Sequence, residues 1–336
     1  MLTGHGDDRY RYGHVRLNFS SNIYGHADME PLKQFLCSHI DAIGSYPEPE
    51  PYAARRAIAR WRGVSEECVL VTNGATEAIY LIAQMLRSED FERFSVHDPT
   101  FSEYRDASQL AGLRSAPFGV SEPDAGCVAW LCNPNNPTGH VCPQEEVERM
   151  ARHYGMLVVD QSYEDYTLQP LMPPAKAITS ENIILIYSLT KTCAVPGLRI
   201  GYVVARAEII ARLRRYVRPW SVGTLSSLAA EWLADHGVWA VTDRPALLAE
   251  AARLSRRLSQ LPGISVVPSA TTFMLVRSEQ LTAAVLKERL VQRYGILVRD
   301  ASNFRTLDHH YIRVATQRPE DNDQLVAAVC GLMNNE

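Results

Sequence analysis

Lysine is the scarce side chain here: of 34 basic residues only four are lysines, Lys33, Lys176, Lys191 and Lys287. Chemistry that needs an amine therefore has few places to happen. Long apolar runs are missing as well, none approaching the ~18 residues of a membrane span. The polar start Gly4-His5-Gly6-Asp7-Asp8-Arg9 has none of the basic-then-apolar character of a secretion signal. A cytoplasmic location is expected. Nor is there an excess of one charge: 34 basic residues against 38 acidic ones leave a formal net charge of −4, so no global field points to nucleic acid or to an anionic membrane. The expected partner is a small molecule. Seven cysteines (37, 68, 127, 132, 142, 193 and 330) are odd in number and never fall as CxxC, and no cysteine or carboxylate stands at metal spacing from His309-His310. Reduced thiols and no metal are expected.

Apolar residues make up 46% of the 336, enough to bury a large core and a second, smaller one. Short β-branched runs alternate with helical patterns from about residue 68 to 217, as βαβ units and a mainly parallel mixed sheet flanked by helices require. Strands are predicted at 68–71, 94–97, 128–131, 157–159, 183–186 and 201–204. Val147, Met150, Ala151 and Tyr154 recur at i, i+3, i+4 and i+7, predicting a helix over 144–154. After helices near 206–217, 224–236 and 243–260 the order changes to strands at 264–267 and 273–276, a helix at 281–294, strands at 296–299 and 311–314, and a helix at 319–333. That is a compact α+β unit. Residues before 40 are not βαβ either, so the expected division is a large α/β domain over 40–240 and a small α+β domain made of 1–39 and 241–336.

Lys191 closes Ser188-Leu189-Thr190-Lys191 straight after a buried strand, and Arg199 follows eight residues later in Pro196-Gly197-Leu198-Arg199-Ile200-Gly201. Imine formation needs an amine that loses its proton readily, with a pKa lowered from ~10.4 toward about 7–8 by burial and a nearby cation. The hydroxyls of Ser188 and Thr190 and the Arg199 guanidinium suit a dianionic phosphate beside that amine. Asp160 ends the apolar run 156–159, at the strand edge where open α/β sheets place ligands, and a carboxylate there can hold a proton on a pyridine nitrogen. Tyr163, three residues on, and an amide from the rigid turn Asn133-Pro134-Asn135-Asn136-Pro137-Thr138-Gly139 can reach the 3′ oxygen of the same ring. Gly74-Ala75-Thr76-Glu77 opens a helix after a strand, so its amides and the Thr76 hydroxyl can cradle a phosphate. Phe101 and Tyr104 offer aromatic faces for a planar ring.

In this order the segments Asn-Gly-Ala-Thr-Glu, Asn-Asn-Pro-Thr-Gly, Asp160-x-x-Tyr163, Ser-x-Thr-Lys and Gly-Leu-Arg-x-Gly resemble, over nearly the whole chain, fold type I pyridoxal-phosphate enzymes of the class I/II aminotransferase superfamily. The resemblance implies the α/β aminotransferase fold type I and pyridoxal 5′-phosphate as cofactor. It makes Lys191 the Schiff-base lysine, Asp160 the partner of the ring nitrogen, Asn136 and Tyr163 the partners of the 3′ oxygen, and Phe101 or Tyr104 the stacking aromatic. Gly74, Ala75, Thr76, Ser188, Thr190 and Arg199 would surround the cofactor phosphate. Tyr46, in Ser45-Tyr46-Pro47, matches a tyrosine that serves the neighbouring subunit's phosphate site, so a homodimer is implied.

Two groups within the superfamily share further motifs. Histidinol-phosphate aminotransferases have the Tyr-Pro, the Asn-Asn-Pro-Thr-Gly and an arginine like Arg299. L-threonine-O-3-phosphate decarboxylases of cobalamin synthesis share those and also resemble 18–23 (Asn-Phe-Ser-Ser-Asn-Ile), 219–222 (Pro-Trp-Ser-Val), 301–304 (Ala-Ser-Asn-Phe) and 311–315 (Tyr-Ile-Arg-Val-Ala). This second resemblance implies decarboxylation of O-phospho-L-threonine, with Arg313 on the α-carboxylate, Arg299 and His5 near the substrate phosphate, and Asn22 lining the pocket. The alternative is transamination of histidinol phosphate or a similar amino acid. Two segments depart from the decarboxylase pattern. His-Gly-Gly-Asn is here His5-Gly6-Asp7-Asp8, and Asn-Ile-Asn-Pro-Leu-Gly is here Asn22-Ile23-Tyr24-Gly25-His26. Carboxylates beside a phosphate pocket repel the ligand unless they point away.

Overall fold

The computed structural model describes residues 6–119, 124–237 and 241–334. In chain order its strands are β1 (Leu17–Asn18), β2 (Val69–Thr72), β3 (Arg93–Val96), β4 (Arg114–Ala116), β5 (Asp124–Cys132), β6 (Tyr154–Asp160), β7 (Ile183–Ser188), β8 (Gly201–Ala205), β9 (Ile264–Val266), β10 (Phe273–Ser278), β11 (Ile296–Leu297), β12 (Arg299–Asp300) and β13 (Tyr311–Ala315). Seven of them form one sheet in the order β2-β8-β7-β6-β5-β3-β4. Strand β8 is antiparallel to both its neighbours, and the pairs from β7 through to β4 are all parallel. The expected mixed, mainly parallel sheet is what the residues build.

Both faces of this sheet are covered, which is why its strands read as unbroken apolar runs. Along β7, Ile183, Leu185 and Tyr187 enter one core, while Ile184 and Ile186 enter the other. Each such side chain contributes roughly 1.5–3 kcal/mol by leaving water. The edge strand β4 was not foreseen, because Arg114-Ser115-Ala116 is short, mostly exposed and carries no apolar pattern. The helix predicted over 144–154 is Gln144–His153, with Tyr154 already the first residue of β6.

A second sheet, β12-β13-β10-β9, is antiparallel throughout. The predicted strand at 296–299 is broken at Val298 into β11 and β12, because its two halves serve different partners: β11 pairs with β1 near the start of the chain, and β12 with β13. Phe19 is thereby drawn into a core with Leu254, Leu286, Leu290, Leu325 and Val329 from three C-terminal helices. Leu32, on the helix Glu30–Ser38, packs instead into a core of the seven-stranded sheet.

This topology brings four chain segments to one edge of the large sheet. Strands β2, β5, β6 and β7 end there, followed by 73–74, 133–139, 160–163 and 188–191, and β8 begins there, its Gly201 opposite both Thr72 and Ser188.

Candidate active site

The edge opens into a cleft of about 290 Å³. At one end lies an anion cradle. The helix Gly74–Ser88 starts there, and its N-cap Asn73 makes no side-chain cap bond, so the first-turn amides are left without a side-chain cap. Ala75, Thr76, Ser188, Thr190 and Arg199 line the same space. Two glycines make this approach possible. Gly74 has φ +80° and a Cβ there would lie 2.6 Å from Arg199 Nη2; on Gly201 a Cβ would lie 2.5 Å from the Ala75 nitrogen and 2.9 Å from the Tyr187 carbonyl. The Thr190 hydroxyl is buried with no hydrogen-bond partner. Such a group costs stability unless a ligand completes it.

Lys191 lies in the short helix Leu189–Thr192, fixed by the Tyr166 hydroxyl, which donates to the Lys191 carbonyl at 3.0 Å. Its Nζ donates to the Ser21 carbonyl at 2.9 Å and stands 5.7 Å from the centre of the Tyr163 ring. Burial, with Arg313 and Arg199 nearby, lowers its pKa to about 7, against the opposing pull of Asp7 and Asp160. At neutral pH about half of such amines are nucleophiles, against ~1 in 10³ for an ordinary lysine.

Asp160 is 4% exposed. One oxygen accepts from the Ser162 amide at 2.9 Å and its hydroxyl at 2.5 Å; the other accepts from the Tyr104 hydroxyl at 2.8 Å. Burial raises its pKa, and these donors and Lys191 oppose the rise. Among the described residues no arginine or lysine forms an ion pair with it, so a cationic ring nitrogen would find its counter-charge here. Tyr104 is packed flat on Trp130, 5.5 Å between centroids. Its hydroxyl thus supports Asp160, and Tyr104 and the partly exposed Phe101 both line the cleft.

Asn136 leaves a turn laced by its own side chains: Asn133 bonds both the amide and the carbonyl of Cys142, and Asn135 bonds Thr138, Pro99 and Thr100. The Asn136 amide oxygen accepts from Arg313, which also donates to the Ser20 carbonyl at 2.5 Å. Burial pushes the Tyr163 hydroxyl up to about 12 and Arg313 down to about 10. Arg299 lines an adjoining cavity of about 210 Å³ that shares Gly6, Phe101, Asn136 and Arg313 with the cleft, and its Nη2 donates to Asn303 at 2.8 Å.

The remaining expected residues are placed differently. Asn22 is buried beside Tyr163 but closes no hydrogen bond of normal geometry, and it is its neighbours Ser21 and Ile23 that line the cleft. Tyr46 is 86% exposed, beside Trp220 at 5.4 Å, and lines a separate cavity that shares no residue with the cleft. His5 lies outside the described residues. Asp8 points away, paired at 2.5 Å with Lys287, whereas Asp7 lines the cleft. Sequence reasoning missed Cys132, Ser162, Ser21, Ile23 and Gly6. Ser162 had a local signal, a hydroxyl two residues beyond a carboxylate, the spacing of a side-chain-to-backbone turn, and Gly6, Ser21 and Ile23 lie in segments singled out above without being assigned to the site.

The chain belongs to the aminotransferase class I and II family, whose model matches residues 15–329. It is 31% identical to the threonine-phosphate decarboxylase of Salmonella typhimurium, covering 93% of this chain and 90% of that one. It is 30% identical to the histidinol-phosphate aminotransferase of Caldanaerobacter subterraneus, covering 85% and 84%. Among solved structures, L-threonine-O-3-phosphate decarboxylase from Porphyromonas gingivalis superposes with a TM-score of 0.88 at 33% identity, covering 95% of this chain and 99% of that one.

The family works with pyridoxal 5′-phosphate, and the site fits that group. The orphaned Thr190 hydroxyl and the open helix start suit its phosphate, buried Asp160 suits a protonated ring nitrogen, and Lys191 has the lowered pKa that imine chemistry needs. Gly201→Ala tests the cradle. Its Cβ meets backbone rather than a movable side chain, so the helix start must shift. Cofactor affinity, followed by absorbance on dilution, should fall about tenfold or more, with a stability loss of ~1–3 kcal/mol.

Proposed function

We propose that this enzyme removes the α-carboxylate of O-phospho-L-threonine to give aminopropanol phosphate, a step in making the cobalamin side chain. The observation that carries this reading is the pairing of Arg299 with Arg313. They are cross-strand partners on β12 and β13, so their side chains share a face, and both are buried. Like charges placed opposite each other destabilise a sheet, and burying them costs more. Two anionic groups on one ligand offset that cost. O-phospho-L-threonine carries a carboxylate and a phosphate, whereas histidinol phosphate has a phosphate alone. The identity to threonine-phosphate decarboxylases over nearly the full chain supports the same choice.

When bound, pyridoxal 5′-phosphate supplies an aldehyde for the substrate amine and a sink for the electrons left at the α-carbon when a bond there breaks. Lys191 holds the cofactor between turnovers. Asp160 keeps a proton on the ring nitrogen, Asn136 and Tyr163 bind the 3′ oxygen, and Phe101 covers the ring. Ala75, Thr76, Ser188, Thr190 and Arg199 take the cofactor phosphate. Arg313 grips the carboxylate and Arg299 the substrate phosphate, and the orientation they impose selects which α-bond is cleaved. The Lys191 amine, with its pKa lowered to about 7, would return a proton to the α-carbon.

The exposed cluster of Tyr46, Trp220 and Ile43 supports a homodimer in which Tyr46 reaches the second copy's site. We divide the chain into a large domain over 40–240 and a small one from 1–39 and 241–336; the separate cores around the large sheet and around Phe19 support this division, while the helix Glu30–Ser38 leans on the large sheet and a smaller core joins Tyr163 and Tyr166 to Leu247 and Phe273. No helix among the described residues is long and apolar enough to cross a membrane, and unpaired cysteines support a cytoplasmic enzyme. Incubating the holoenzyme with O-phospho-L-threonine should release CO2 and leave aminopropanol phosphate. No CO2, together with conversion of the cofactor to its amine form by histidinol phosphate, would replace this reading with transamination.

A further inference from the structure

The segment entering the cleft departs from the pattern of the enzymes it resembles, and the departure has a defined geometry. Gly6 passes directly over the substrate arginines: a Cβ on it would lie 3.0 Å from the Ser20 carbonyl, 3.3 Å from Arg313 Nη2 and 3.7 Å from Arg299 Cδ. Asp7 comes next, at φ +61°, a left-handed conformation in which Asp and Asn are among the few tolerated side chains. Its placement is built from several contacts. The Asp7 amide donates to Ser20 Oγ at 3.2 Å, and one carboxylate oxygen accepts from Asn18 Nδ2 at 2.6 Å. The Asn18 amide oxygen in turn accepts from the Ser20 amide at 2.9 Å and its hydroxyl at 2.8 Å. Asn18 itself is pinned in β1 by pairing with Leu297. Asp8 anchors the other side through Lys287, a pair whose side chains are only 15% and 10% exposed.

The carboxylate held this way lines the Lys191 cavity and not the adjoining one that Arg299 lines. Charge around the two cavities is therefore uneven. Asp7 and Asp160 line the cavity of Lys191 and Arg199, while Arg299, Arg105 and Arg305 line the adjoining one, where Asp98 pairs with Arg105 and Arg305, and Asp300 and Asp8 act on Arg299, with Arg313 shared between the two cavities.

We propose that Asp7 is a specificity-determining residue: its carboxylate attracts the ammonium of an incoming amine to the Lys191 end of the cleft and repels the ligand's phosphate toward the arginine end. A substrate with an amine at one end and a phosphate at the other can then enter in one orientation only. The proposal rests on the reading above in taking the ligand to be a phosphorylated amine.

Binding measurements on the holoenzyme test it without needing turnover. Inorganic phosphate is the anionic probe and methylammonium the cationic one, each titrated directly into the holoenzyme and read from the cofactor absorbance. Asp7→Asn keeps the left-handed backbone and the contact to Asn18 while removing the charge. It should bind phosphate about threefold or more tightly at low ionic strength and methylammonium correspondingly more weakly, and the difference should shrink as salt screens the exposed carboxylate. Asp7→Gly, which also relaxes the backbone, should show the same shift. Phosphate and methylammonium affinities unchanged in both variants, or phosphate bound more weakly, would overturn the proposal. If O-phospho-L-threonine binds but releases no CO2, the assigned reaction fails and the charge-sorting role is still measured by the two probes.

Discussion

Lys191→Ala should lower turnover of the holoenzyme by at least about a thousandfold, because the variant loses both its attachment for the cofactor and its proton carrier at the α-carbon. Single-turnover measurements with saturating cofactor separate these losses from simple cofactor escape. The amine's pKa of about 7, against an ordinary lysine's 10.5, gives the prediction a second arm. In the cofactor-free protein, acylation of Lys191 should rise with pH and reach half its limit near pH 7, since only the neutral amine reacts. The same shift is a stability statement. Between about pH 7 and 10.5 the unfolded chain holds a proton that the folded one has lost, so stability rises with pH across that window. Below it, both states hold the proton and the cost of burying the charge is complete. Lys191→Met, which removes that charge, should stabilise the cofactor-free protein by roughly 2–4 kcal/mol at pH 6, after allowing for water in the cleft. Urea denaturation at pH 6 and pH 10 checks both the size and the direction, since the gain should shrink at the higher pH.

Asp160→Asn should cost about 10²–10⁴ in kcat with little change in KM. The amide keeps the volume and the Ser162 contacts but cannot hold a proton on the ring nitrogen, so the loss falls on bond breaking rather than on substrate binding. Tyr104→Phe grades the effect. It deletes one donor to a buried carboxylate while leaving the stack on Trp130, and a hydrogen bond to a charged group is worth about 1.5–3 kcal/mol, or roughly tenfold or more in rate. Equal losses in the two variants would mean that Tyr104 acts by contact with the cofactor rather than through Asp160.

Much of this site was legible because its residues sit at strand ends, where sequence order and spatial position agree. Asp160 closes an apolar run, Lys191 follows another, and Gly74 opens a helix after a third, so each could be assigned to one sheet edge before any fold was known. Residues that converge from elsewhere were not legible in that way. Cys132 and Ile23 line the cleft only because β5 and the segment after β1 meet there, and neither carries a chemical pattern of its own. The reversed direction of β8 was equally hidden, since an apolar run has no direction. The break at Val298 was hidden as well, because it is set by two different pairing partners, one of them some 280 residues away in sequence. Tyr104 was read as one of two candidate ring-stacking aromatics; both line the cleft, and the bond from its hydroxyl to Asp160, a contact between distant chain segments, had no signal in the sequence.

The reversal of β8 has one further consequence. Because β7 and β8 are antiparallel neighbours, Lys191 and Arg199 hang from a single closed loop, latched where the Leu189 amide donates to the Ile200 carbonyl at 3.1 Å. The proposed attachment point of the cofactor and the proposed clamp on its phosphate are thus one mechanical piece, while the arginines proposed to choose the substrate belong to another, the β12–β13 ribbon. A new substrate preference can be installed on that ribbon, by evolution or by design, without retuning the loop that keeps the cofactor in place.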